Sequence, residues 1–179
     1  FRNDRVVVYE NTSALPHAWI VHDVRTVTRD TALAQLTSRR FDPRRTALVE
    51  GDLPGSPTLG DPADESAQIT RYDPDLIAIG TSSSAPGLLV VSEVYAAGWR
   101  AYVDGKRVEL LPTDYVLRGV PVSGGRHQVE LRYEPEALRV GLLISGLSTA
   151  AMLVAFGCVG VSWARRPGAG RKNAMRRAA

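Results

Sequence analysis

The chain has 179 residues, with 22 basic and 19 acidic side chains and one cysteine. That length allows one domain or two small lobes, each with a modest core, and a lone cysteine excludes an intrachain disulfide. The positive charge is local. Arg165, Arg166, Arg171, Lys172, Arg176 and Arg177 account for six of the 22 basic residues, leaving 16 against 19 acids, so the high isoelectric point makes no case for a nucleic-acid partner.

The first stretch, 1–51, mixes strand and helix. Val6 to Tyr9 is β-branched and aromatic and stops at the turn pair Glu10-Asn11. Ala18 to Val27 reads as a second strand. Asp30 or Thr31 caps a short helix with Ala32, Leu33 and Leu36 on its apolar side. Phe41-Asp42-Pro43 closes that helix, and Thr46 to Glu50 is the next strand. Residues 52–66 are rich in Gly, Pro and Asp and read as a mobile loop or lobe boundary.

Residues 67–136 carry the clearest β pattern. Ile69 to Tyr72 and Leu76 to Gly80 flank Asp73-Pro74, and Gly87 to Val94 follows another turn. Arg100 to Val103 and Lys106 to Leu110 flank Asp104-Gly105, a strong hairpin signal because a type I′ turn needs positive φ at both central residues. In His127 to Tyr133, Val129, Leu131 and Tyr133 alternate with Gln128, Glu130 and Arg132. That is the period of a strand with one buried and one wet face. The fold class expected is mainly β (α+β): an antiparallel sandwich-like domain with a small α/β N-terminal part, followed by one membrane helix.

Val140 to Ala164 contains no charged residue, amide side chain, His or Pro. Its 25 residues span roughly 37 Å as a helix, enough to cross a hydrocarbon core of about 30 Å. The hydroxyls of Ser145, Ser148, Thr149 and Ser162 can bond back to their own helix. Trp163 stands where an interfacial aromatic belongs. The basic tail, 165–179, is expected in the cytoplasm and residues 1–139 outside. An outer segment that starts at Phe1 without a signal peptide is expected to follow earlier spans of a longer protein. Cys158, inside the span, reads as a small packing residue. Gly141/Ser145, Ser145/Thr149 and Gly146/Ala150 set small residues four apart, a spacing that suits docking against other spans.

Sites are harder to find. His17, His22 and His127 read as isolated, with no pair at a spacing typical of a metal site, so surface or hydrogen-bonded structural roles are expected and no metal site is. Carboxylates at Asp52, Asp61, Asp64, Asp73 and Asp75 read as turn formers, and no Gly-rich loop suggests a phosphate cradle. Tyr95 to Lys106, Y-x-x-G-W-x-A-x-V-D-G-K, is the one candidate. Tyr95 and Trp99 can stack on a sugar ring while Asp104 or Arg100 binds hydroxyls. The same residues admit a structural reading, which is preferred: Gly98 bends the chain, Trp99 fills the core and Asp104-Gly105 makes the turn.

Three phrases resemble a known family: VYENTSALPHAWIV (Val8 to Val21), PGLLVVSEVYAAGWRAYVDGKRV (Pro86 to Val108) and RGVPVSGGRHQVELRYEP (Arg118 to Pro135). Together with the helix that follows, they are similar to the C-terminal end of bacterial YfhO-like membrane proteins, over nearly the whole chain except the loop and the tail. The resemblance implies a polytopic GT-C-type glycosyltransferase that uses a polyprenyl-phosphate sugar and acts on cell-envelope polymers. The catalytic acid of such enzymes lies in an early outer loop, so no catalytic residue carries over to this segment. The alternative is a non-enzymatic anchored module that binds envelope polysaccharide or a partner protein. No cofactor is expected in either case.

Overall fold

The computed structural model describes residues 7, 9–38, 40–51 and 65–164, without the side chains of residues 139, 159, 160 and 162–164. Half of the expected strand at Val6 to Tyr9, most of the 52–66 loop, the Trp163 side chain and the tail lie outside the described residues. Contacts divide the chain into two units, 1–134 and 135–179.

The first unit is mainly β and built from two sheets. Its elements in chain order are β1 (Ala18–Val21), β2 (Asp23–Thr26), α1 (Arg29–Leu36), β3 (Thr46–Val49), β4 (Ser66–Tyr72), β5 (Leu76–Ser83), β6 (Gly87–Val91), β7 (Trp99–Val103), β8 (Lys106–Val108), β9 (Leu111–Thr113), β10 (Leu117–Val122) and β11 (Gly125–Tyr133). One sheet runs β1-β6-β10-β9-β3-β2 and the other β4-β5-β11-β7-β8. All pairings are antiparallel except β2 with β3, which run parallel because α1 crosses over between them.

Strands that precede residue 52 pair with strands that follow residue 66. β1 pairs with β6, Ala18 opposite Val91, and β3 meets β9 at Val49 opposite Thr113. Composition along the chain cannot show such long-range pairing.

The core explains the patterning. Ile20, Leu89, Val91 and Val120 from the first sheet form one cluster with Ile77, Ile79, Val129 and Leu131 from the second. On the other face of the first sheet, Trp19, Val21, Val49, Leu88 and Val90 form a second cluster. β6 is buried at all five positions because its alternate side chains enter the two clusters in turn. A strand buried on both faces reads as a continuous apolar run, here Gly-Leu-Leu-Val-Val.

Several boundaries differ from the sequence reading. The strand expected over Ala18 to Val27 breaks at His22, whose ring leaves the ladder to bond the Pro86 carbonyl at 2.8 Å. α1 begins after Thr28 rather than at Asp30 or Thr31, and it ends at Leu36, well before Phe41. Thr37 stops it: its hydroxyl bonds back to the carbonyls of Leu33 and Ala34, each at 3.1 Å. Of the three residues assigned to its apolar side only Ala32 is buried, and Leu33 is 47% exposed. β9 and β10 were not expected, because Pro112 and Pro121 sit inside them. Within β10, only Leu117 to Gly119 pair with β9, which leaves one side of Pro121 without a ladder.

Among its described residues the second unit contains one helix, α2 (Glu136–Ala164), long and apolar enough to cross a membrane. Its 29 residues are about 43 Å long. It starts four residues before Val140, directly after Pro135, a residue suited to the first turn of a helix. The Thr149 hydroxyl bonds the Ser145 carbonyl at 2.8 Å, so this polar group is satisfied within the helix.

Candidate functional site

The segment between β6 and β7 is short, polar in its backbone bonding and firmly tied. The Ser92 N–H donates to the His17 carbonyl at 2.8 Å and the Tyr95 N–H to the Val116 carbonyl at 2.7 Å. Gly98 has φ of 100°, a left-handed conformation that favours glycine, and its carbonyl accepts from the Glu134 N–H at 2.6 Å. This bend turns the chain into β7 and presents Tyr95 and Trp99 side by side.

Together they line a cavity of about 390 Å³, completed by Arg100, Arg107, Glu109 and Leu110. Trp99 also packs against the shared core and contacts the Tyr133 ring, with centroids 5.5 Å apart. It therefore has a packing role and a cavity-lining role at once.

Arg118 organises this region, and the sequence reading missed it. It is only 4% exposed, and its guanidinium lies 4.0 Å from the centroid of the Trp99 ring. Its Nε donates to the Val94 carbonyl at 3.0 Å, while Nη1 is buried without a hydrogen-bond partner among the described residues. Burial lowers its pKa and the nearby Glu93 carboxylate opposes that shift. Glu93 accepts from the Tyr72 hydroxyl and bonds His17 Nε2 at 2.9 Å. The hydroxyl bond, more than any other contact, holds its carboxyl below the usual range. Sequence carries no signal for this group, since Tyr72, Glu93 and Arg118 are far apart in the chain.

Asp104 lies elsewhere. Its φ of 49° and that of Gly105, 76°, make the two-residue turn between β7 and β8, with Val103 opposite Lys106. Its carboxylate accepts from the Gln128 N–H at 2.9 Å and from His127 Nδ1 at 2.7 Å. The Gln128 N–H, first among several causes, lowers its pKa. His127 Nε2 lies 2.8 Å from the Ser123 hydroxyl. This chain of bonds pins the β7–β8 turn to the β10–β11 turn.

The three histidines take the hydrogen-bonded roles expected of them. His17 meets Glu93, His127 meets Asp104, and His22, 7% exposed, meets Glu65, which also accepts from the Ser83 hydroxyl at 2.9 Å. Separation in sequence does not measure separation in a sheet. Among the described residues no group of three or more His, Cys, Asp or Glu side chains is placed to hold a metal ion.

A mainly β domain joined to an apolar helix of spanning length defines a class, that of a membrane-anchored domain. Residues 63–145 match the family model described as bacterial membrane protein YfhO, so this part of the chain is similar to a segment of that family. The match includes the phrases Pro86 to Val108 and Arg118 to Pro135 and the first ten residues of α2, but not Val8 to Val21. The resemblance is therefore narrower than the sequence suggested. No curated protein and no solved structure matches the chain.

Proposed function

We propose that the chain is an extracytoplasmic accessory domain and transmembrane helix of an integral-membrane glycosyltransferase, one that takes sugar from a polyprenyl-phosphate donor and transfers it to a cell-envelope polymer. The observation that carries the saccharide part is the cleft at Tyr95 and Trp99. Its aromatic wall and its arginine and glutamate rim match the composition of small-ligand pockets. In this reading the aromatic rings support a sugar ring, and Arg107 contacts its polar substituents. Asp104 contributes through the hairpin and not through the cleft. The bond-making residues belong to other parts of the membrane protein, and α2 docks there through its small residues.

The basic tail supports a cytoplasmic C-terminus and an external domain. Membrane-impermeant labelling from outside should reach a cysteine introduced at Ser56 but not one at Ala178; the reverse pattern rejects this orientation.

The cleft is tested in the intact membrane protein by following transfer of labelled sugar from a polyprenyl-phosphate donor. Tyr95→Ala and Arg107→Ala should each lower transfer several-fold with little change in melting temperature. Full transfer in both variants rejects the cleft as a saccharide site. Polysaccharide binding without any transfer by the parent protein identifies a non-enzymatic module instead. Full transfer by Trp99→Leu with a lowered melting temperature would confine Trp99 to packing.

A further inference from the structure

The exposed large apolar side chains of the β domain are not spread evenly. Eight occur among its described residues: Val7, Tyr9, Leu33, Tyr72, Val94, Tyr95, Val116 and Tyr133. Five of them, Tyr72, Val94, Tyr95, Val116 and Tyr133, share one end of the two sheets.

The pairing establishes this placement. Tyr133, the last residue of β11, faces Trp99, the first of β7. The Tyr133 N–H donates to the Asp75 carbonyl at 2.8 Å, in the turn that follows Tyr72. Tyr72 bonds Glu93, next to Val94, and the Tyr95 N–H reaches Val116 at 2.7 Å. The opposite end is formed by the Asp104-Gly105 turn, Ser84 to Pro86 and Ser123 to Gly125, with no exposed large apolar side chain among the described residues.

The apolar end is also the end at which the chain leaves for α2. Only Glu134 and Pro135 separate Tyr133 from Glu136, the first residue of that helix. Three residues of chain reach at most about 10 Å. Where α2 crosses a bilayer, Tyr133 is thereby confined near the headgroup region, which is where tyrosine and tryptophan collect. An apolar patch with polar tips on its aromatic rings suits that region, since the rings enter the glycerol layer and the hydroxyls stay hydrated.

We propose that this end of the domain docks on the lipid headgroup layer of the bilayer that α2 enters, with Val94, Val116 and Tyr133 inserted at the interface. The proposal rests on the reading of α2 as a span. Both charge signs occur at this end, at Arg71, Asp73, Asp75, Glu93 and Arg132, so the attraction is to the apolar–polar boundary and not to anionic lipid.

The test uses the full chain in phosphatidylcholine vesicles, with Cys158→Ala and a single NBD-labelled cysteine. Val94→Cys and Val116→Cys report on the proposed face, and Lys106→Cys reports on the opposite end. Flotation with the vesicles comes first, and failure to float overturns the span and the docking together. With flotation, labels at the first two positions should shift to the blue and be quenched roughly twofold or more by lipid bearing a nitroxide near the headgroup, while the label at Lys106→Cys is not. Equal, water-like emission from all three in floated vesicles overturns the docking and leaves the span intact.

Discussion

The guanidinium of Arg118 lies 4.0 Å from the centroid of the Trp99 ring while its Nε holds the Val94 carbonyl at 3.0 Å. One buried cation thus fixes both the ring that lines the cleft and the loop that carries Tyr95. A cation over an aromatic face is worth about 1–2 kcal/mol when desolvated, and a charged hydrogen bond about as much again.

Arg118→Met keeps much of the apolar stem and removes both interactions. It is expected to destabilise the domain by about 1–3 kcal/mol and to raise amide exchange at residues 92–98. Arg118→Lys should recover only part of this, because an ammonium cannot lie flat on the ring while reaching the carbonyl. Denaturant unfolding with hydrogen exchange checks both.

Asp114 predicts a pH dependence. One carboxylate oxygen accepts from the Leu48 N–H at 2.8 Å, the other is buried without a partner among the described residues, and burial raises its pKa to about 6. Because the folded state holds this proton more tightly than the unfolded one, the group favours folding most below pH ~3.8. Its contribution falls as pH rises towards 6 and is flat above, a change of about 3 kcal/mol. Asp114→Asn retains the acceptor and tolerates the φ of 47° found there. It should stabilise the domain by about 1–3 kcal/mol at pH 8, with the gain vanishing near pH 3.5 in denaturant titrations.

Asp104 and His127 give the same sign as Asp114: stability falls as pH rises. Hydrogen bonding to Asp104, chief among several causes, raises the His127 pKa. The stabilisation from its charged form is therefore complete below the unfolded value of about 6.5 and disappears as pH rises through the folded value. Asp104→Asn keeps a residue suited to the type I′ turn and removes the charge. NMR titration should then show the His127 pKa falling, with the hairpin pairing of Val103 and Lys106 retained.

Gly119 is required for space. A Cβ there would lie 2.1 Å from Thr113 Oγ1 and 3.2 Å from both Thr113 Cβ and Leu88 Cδ2. Gly119→Ala is expected to cost about 1–3 kcal/mol. Adding Thr113→Ala removes the closest clash but not the other two, so the double variant should lose less than the sum of the singles. Thermal unfolding of the four-member cycle measures the difference.

The legible parts of the fold are those set by neighbours in sequence. Asp104-Gly105 demands a particular turn, the alternation from Val129 to Leu131 demands a one-sided strand, and an uncharged run from Val140 demands a helix of spanning length. β10 was hidden because its burial depends on β6 and β9, while Gly119 and Pro121 argue locally against a strand. At the cleft, Tyr95 and Trp99 were visible as adjacent aromatics, but Arg118 reaches them only through the pairing of β10 with β6. Asp104 was grouped with them by proximity in sequence, although β7 carries it to the far end of the sheet.

β6, buried on both faces, also sets the order of assembly during synthesis. It needs β1, some 70 residues earlier, and β10, about 30 residues later. β5, in the other sheet, waits for β11. The first sheet is complete only at β10 and the second only at β11, the last strand, and α2 begins soon afterwards. Insertion of the helix and closure of the domain are thus nearly simultaneous, so a delay in one leaves the apolar surface of the other exposed.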